Sequence, residues 1–151
     1  MTEVGRLLGV DYGHIRIGLA VSDPERKFAS PLSTHAHQGK AKDAAYFSRL
    51  VQDQGILEIV LGLPVHLGGH EGAKATETRA FGKWLYEVTR LPIVYWDERF
   101  TTVEAENLLL SAGLTNKRRR ARRDRIAAQI LLQSYLDAGC PGEQKLGSLE
   151  E

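Results

Sequence analysis

The chain predicts a three-layer α/β domain on a mixed five-stranded sheet with flanking helices. Two features of the element order carry that expectation. Three short apolar runs separated by turn residues open the chain and read as an antiparallel meander. Strand-like runs then alternate with segments of helical period, the pattern that gives a parallel continuation packed by helices. Length supports one such unit, since 151 residues with 42% hydrophobic content suit a single soluble globular domain.

Each element has its own justification. Residues 7–11 (LLGVD) are an apolar run ending at an acid before Gly13, and 16–21 (RIGLAV) form the second arm of a hairpin. Residues 31–36 are a weaker third strand. From 40 to 54, Ala44, Phe47 and Val51 recur at helical spacing, and Gly55 stops the helix. Residues 56–61 (ILEIVL) read as a buried strand, and 62–72, with one Pro and four Gly, as a loop. A helix over 73–90 carries Phe81, Trp84, Leu85 and Val88 on one face, and a strand over 92–96 runs into Asp97-Glu98. Thr101 and Glu104 form a capping box for a helix that Gly113 closes. A last helix is expected from about 122 to 138. The domain is thus expected over 1–138, with a frayed tail at 139–151.

Composition excludes several classes. A single cysteine, Cys140, allows no internal disulfide, and no Cys/His spacing suits zinc, so His14, His35, His37, His66 and His70 are given no metal role. No signal-peptide pattern and no apolar run of membrane-spanning length is visible, which predicts a cytoplasmic protein. Trp84 and Trp96 read as core residues rather than stacking platforms.

Charge is unevenly spread. Of 20 basic and 19 acidic residues, seven and one fall in 117–125, which leaves 13 and 18 for the rest. One basic stripe on an acidic body is the footprint of a phosphate-contacting surface, although a solvated loop would look the same. The lone acid in the stripe, Asp124, shares a helical face with Ala127, Ala128, Leu131 and Tyr135, so it is expected to start an inward-facing stripe in the first turn of the last helix. Asp11 and Asp97-Glu98 end strands, where α/β sheets gather functional groups. Alone, each acid is more simply a turn residue, an Arg99 partner or a helix-dipole acid. Together they suit Mg²⁺ or Mn²⁺ bound near a phosphate, with basic side chains on the flanking phosphates.

Four blocks, LLGVDYGHIRIGLAVSD (7–23), GLPVHLGGHEG (62–72), DERFTTVEA (97–105) and DRIAAQILLQSYLD (124–137), closely resemble the bacterial YqgF/RuvX family. The resemblance spans the chain nearly to Asp137. It implies an RNase H-like fold and a function described either as pre-16S rRNA nuclease or as Holliday junction resolvase homologue. Carried over by motif, it implies Asp11, Asp124 and one of Asp97 and Glu98 as catalytic metal ligands, with Glu98 favoured. Strand alternation lets only one of that adjacent pair face the metals with ease. Gly62, Pro64, Gly69 and Gly72 match the glycine-rich loop, where His66 and Gly68 depart from the usual residues. Arg16 and Gly18 match the hairpin, and Arg99, Thr101 and Thr102 the residues after the acids. The nucleic-acid contacts are expected from Arg16, Arg99, Lys117, Arg118, Arg119, Arg120, Arg122 and Arg123.

The leading expectation is therefore a metal-dependent endonuclease on structured nucleic acid, with the 5′ end of precursor 16S rRNA as substrate and a monomer or weak homodimer as the working form. A junction resolvase acting on branched DNA would need two symmetry-related sites. A non-catalytic binder of the same fold is a third reading. An actin-like or sugar-kinase nucleotide site would need a second domain that 151 residues do not provide.

Overall fold

The computed structural model describes residues 5–65, 71–98 and 116–142. The elements are β1 (Arg6–Asp11), β2 (Arg16–Ser22), β3 (Ala29–Ala36), α1 (Lys40–Gln54), β4 (Ile56–Leu63), α2 (Ala73–Thr89), β5 (Ile93–Asp97) and α3 (Asn116–Asp137). The sheet runs β3-β2-β1-β4-β5. β1 pairs antiparallel with β2, and β2 antiparallel with β3, whereas β4 lies parallel to both β1 and β5. This is the mixed five-stranded sheet expected. The helix expected over 101–113 lies outside the described residues.

Strand alternation divides the apolar residues between two cores. Leu8, Val10, Ile17, Leu19, Ile59 and Leu61 meet Phe47 and Val51 of α1 and Phe81 and Leu85 of α2. On the other face, Leu7, Ala20, Val60, Val94 and Trp96 meet Ala128, Leu131, Leu132 and Tyr135 of α3. Trp96 packs edge-on against Tyr135 at 5.2 Å between ring centroids and donates Nε1–H to Ser134 Oγ at 3.1 Å.

Three boundaries differ from expectation, each for a physical reason. β3 begins at Ala29, before Pro31, because proline is tolerated on an edge strand and α3 clamps the strand's start. Gln133 Oε1 accepts from the Ala29 N–H at 2.8 Å, and Gln129 Nε2 donates to the Ala29 carbonyl at 3.1 Å. β4 continues through Gly62 and Leu63, which pair with Trp96 and Asp97, so the glycine loop starts later than its first glycine. α3 begins at Asn116 rather than near 122: the basic run is not a loop but the helix's opening turns, and arginine is a good helix former. Asp124 consequently sits in the third turn, and a first-turn dipole role for it falls away.

Two glycines set how closely α3 approaches the sheet. A Cβ on Gly18 would collide with the Asp124 backbone carbonyl, and one on Gly9 would lie 2.8 Å from Leu132 Cβ and 3.1 Å from the Ala128 carbonyl oxygen. Gly55 is a glycine for another reason: it closes α1 at φ 65, with nothing near its missing side chain. Gly18→Val should therefore cost roughly 3 kcal/mol, the upper end for overpacking, and Gly55→Ala only about 1–2 kcal/mol of left-handed strain. Urea denaturation of both variants checks the difference. Equal costs would mean that α3 can back away from β2.

Candidate active site at the end of the sheet

β1 alternation assigns Leu7 and Gly9 to the α3 face and Leu8 and Val10 to the other, so Asp11 at the strand's end points to the α3 side. In β2 the same count puts Arg16 on that face with Gly18 and Ala20. Arg16 Nε donates to Asp124 Oδ2 at 2.7 Å, an ion pair joining residues 108 apart in sequence. Beyond β5, Glu98 reaches over Gly62: a Cβ there would lie 3.0 Å from Glu98 Cγ, 3.1 Å from its Oε2 and 2.9 Å from Leu131 Cδ2. Glu98 is thus on the α3 face as well. Asp97 is fully buried and pairs in register with Leu63, which packs against Ala75 of α2, so alternation turns it to the opposite side. Asp11, Glu98 and Asp124 converge, and Asp97 stands behind them.

The electrostatics follow from that crowding. Asp11 is pushed from 3.8 up to about 8, first by burial, then by repulsion from Glu98 and from Asp124, with Lys74 pulling against them. Glu98 is raised too: burial dominates, Lys74 opposes it, and Asp97 adds repulsion. Lys74 is the residue that reading the sequence missed. It lies in the first turn of α2, two residues past Gly72, and its ammonium is the cation that both acids feel. Its one signal is a lysine two residues after the last glycine of the loop.

Other expected residues fall around this centre. Arg120, Arg122 and Arg123 are exposed on α3 beside Asp124, while Lys117, Arg118 and Arg119 belong to its first turn. Pro64 follows β4, and Gly72 caps α2 with its carbonyl accepting from the Thr76 N–H at 3.1 Å. Glu71 ties this end of the loop to α2 through a two-pronged pair with Arg79, at 2.7 and 2.6 Å. Arg99, Thr101, Thr102, His66, Gly68, Gly69 and His70 lie outside the described residues. His35 and His37 serve structure instead, both bonded to the carboxylate of Asp43.

All-carboxylate oxygen donors suit a hard divalent cation in kind, and a cation would relieve the repulsion that lifts Asp11. Among the described residues, however, no three His, Cys, Asp or Glu side chains stand together in positions that could hold a metal ion as they are. Asp124 has its Oδ2 on Arg16 instead.

The Holliday junction resolvase family RuvX matches residues 5–138. A Rhodopirellula baltica protein named "Putative pre-16S rRNA nuclease" is 46% identical over 134 residues, covering 89% of this chain and 78% of that one. A Syntrophomonas wolfei protein of the same name is 43% identical over 138 residues, covering 91% and 98%. The chain belongs to the RuvX family. Its fold is RNase H-like, as in solved resolvases. RuvC of T. thermophilus, in complex with a Holliday junction substrate, superposes with a TM-score of 0.57 at 13% identity over 92% of this chain and 98% of that one. Fowlpox virus resolvase, in complex with Holliday junction DNA, gives 0.53 at 10% identity over 88% and 97%. Among the described residues of this RuvX-family chain, no helix is long and apolar enough to cross a membrane.

The raised Asp11 carboxyl has a thermodynamic signature in metal-free buffer. Below 3.8 the group is protonated folded or unfolded; from there to about 8 only the folded state keeps the proton. Folding stability should therefore fall as pH rises through this window, by up to about 1.4 kcal/mol per pH unit. Chemical denaturation with chelator present measures it. Asp11→Asn should flatten the decline, and an unchanged slope would assign it to another group.

Proposed function

We propose that this RuvX-family protein is a divalent-metal-dependent endonuclease that cuts structured nucleic acid, with the 5′ end of precursor 16S rRNA as its substrate. The observation that carries the reading is the convergence of Asp11, Glu98 and Asp124, from three distant segments, on one face beside an arginine-bearing helix. The nuclease role goes with family membership, and the names of the relatives from R. baltica and S. wolfei support the rRNA substrate.

In this reading Asp11, Glu98 and Asp124 hold Mg²⁺ or Mn²⁺, and Asp97 supports Glu98 from behind. When bound, such cations activate water and stabilise the oxygen that leaves phosphorus. The chain's own residues do the rest. Asp11, raised to about 8 by burial and repulsion, would have to give up its proton for a cation to bind, and the Glu98 carboxyl is raised in the same direction. Arg16 neutralises Asp124 until the site fills, then is available to a phosphate oxygen. Lys74 supplies positive charge from the opposite wall. Arg120, Arg122 and Arg123, with Lys117, Arg118, Arg119 and Arg99, hold the flanking backbone, and the glycine-rich segment of Gly62, Pro64, Gly69 and Gly72 adds further substrate contacts. One strand cut requires one site, so a monomer or weak homodimer suffices.

Asp11→Asn should abolish cleavage without loss of thermal stability, because removing one acid relieves like-charge repulsion; Asp124→Asn should abolish cleavage too, with a small loss of stability from the weakened pair with Arg16. The assay compares precursor 16S rRNA with a four-way DNA junction at matched Mg²⁺. Cleavage of the junction alone would replace the rRNA reading with resolution, and full activity in either variant would remove that residue from the ligand set.

Neutralising Arg118, Arg119 and Arg120 should weaken binding about equally across sequences. It should also flatten the dependence of log K on log salt by roughly 0.7–0.9 per lost phosphate contact. Asp124→Asn should bind as well or better in metal-free buffer. An unchanged salt slope in the triple variant would make the run a merely solvated face.

A further inference from the structure

On the opposite face of the same sheet end lies a cavity of about 400 Å³ that the proposed cleavage does not use. Its walls combine the rings of Tyr12, Phe81 and Trp84 with Lys40 and the carboxylate of Glu77. Tyr12 stacks on Phe81 at 4.4 Å between centroids with 28° between planes, and Phe81 lies 5.6 Å from Trp84 at 31°. The three rings thus form a run in which each neighbouring pair is tilted by 28° or 31°. Phe81 is buried, whereas Tyr12 and Trp84 keep part of their surface open to the cavity. Trp84, expected as core, is thus core on one side and pocket on the other.

The polar rim is fixed rather than loose. Asp43 is buried and accepts from His35 Nε2 at 2.8 Å, from the Gln38 N–H at 3.0 Å and from His37 Nδ1 at 3.2 Å. His37 Nε2 lies 2.8 Å from the Gly13 carbonyl oxygen, so both ring nitrogens face oxygen atoms. This chain of bonds ties the β1–β2 turn to the start of α1 and holds the Tyr12 ring, which meets His37 edge-on at 5.9 Å. The mouth is held open by bonded side chains.

Position connects the cavity to the acids. Tyr12 directly follows Asp11, and alternation sends the two side chains to opposite faces of the sheet end. α2 makes a second link: Lys74, Glu77, Phe81 and Trp84 follow one another at three, four and three residues, a single stripe running from the acids to the cavity. We propose that this cavity takes one unpaired base of the bound nucleic-acid strand, stacked against the Tyr12–Phe81–Trp84 wall, with Lys40 on the adjoining phosphate. Partly exposed aromatic rings and one cation are what a single nucleotide needs, and stacking of this kind tolerates any base. The site selects single-stranded or opened substrate next to the scissile bond, since a paired base cannot leave its helix without cost. The inference rests on the nuclease reading for the strand's passage over Asp11, but its test is binding and needs no cleavage.

The chain has two tryptophans, and Trp96 is sealed against Tyr135 on the far face, so Trp84 fluorescence reports the cavity. Single-stranded RNA, titrated into full-length protein in chelator, should quench the wild type and leave Trp84→Phe unquenched, whereas fully paired RNA should quench neither. Lys40→Ala, at an exposed position, should weaken single-strand affinity severalfold, and Tyr12→Ala tenfold or more. Adenosine monophosphate alone should quench weakly at best, since it lacks the flanking phosphates; quenching as tight as by the oligonucleotide would make this a free-nucleotide site and overturn the proposal. Equal quenching by paired RNA, or binding of single strands without quenching, also overturns it, as does no binding of single strands at all. Quenching without cleavage on adding Mg²⁺ would leave the pocket standing and remove the nuclease reading; cleavage without quenching would do the reverse.

Discussion

The contact on which the site's geometry depends is the backbone of α3 against β2, at a point where neither Gly18 nor Gly9 presents a side chain. A side chain at Gly18 would collide with the helix backbone and one at Gly9 would crowd it, and interiors packed to crystal density absorb such intrusions poorly. The approach is short enough that Asp124, in the middle of a helix, reaches the Arg16 guanidinium in the neighbouring strand. The same approach brings Leu131 and Leu132 down onto the sheet and seals the α3 side of β1 and β4. Asp11 sits half-buried at the edge of this packing, and desolvation there is the first cause of its raised pKa. Position, dielectric and charge state thus share one cause, which is missing volume at two glycines.

A cluster of acids at a sealed sheet end is costly, and the structure shows how the cost is contained. Arg16 meets Asp124 directly, and Lys74 acts on both Asp11 and Glu98 from the first turn of α2. Even so, burial and mutual repulsion outweigh Lys74 at Asp11. A cluster that folds with a proton in place of a cation is prepared to exchange one for the other, which is the behaviour the proposed metal role needs.

The strands and the first two helices were legible because their faces are either wholly apolar or cleanly periodic. β1, β2 and β4 are near-continuous apolar runs, and α1 carries Phe47 and Val51 one turn apart. What reading the sequence misplaced depends on contacts between distant segments. The start of β3 is set by Gln129 and Gln133 of α3, a hundred residues away. The start of α3 was hidden because an all-basic stretch carries no apolar period, so a helix with no inner face in its first turns looks like a loop. The convergence of the acids was visible only as three element ends, and the choice between Asp97 and Glu98 needed the pairing of Leu63 with Asp97. Lys74 stayed unseen because a lysine near a helix start has no pattern of its own.

Alternation along β1 gives the sheet end two different surfaces from consecutive residues. Asp11 turns toward α3 and its arginines, and Tyr12 turns toward α1 and α2 and their rings. A one-residue slip of β1 would exchange them, burying an acid against Phe81 and leaving a tyrosine before Glu98. The register is held from both sides, by β2 pairing Asp11 with Gly18 and by β4 pairing Val10 with Leu61. Gly18 therefore acts twice, as the partner that fixes Asp11 in register and as the gap through which α3 delivers Asp124. In a sheet built this way, the residue pair Asp11-Tyr12 separates charge from stacking, and the α2 stripe from Lys74 to Trp84 runs from the one to the other.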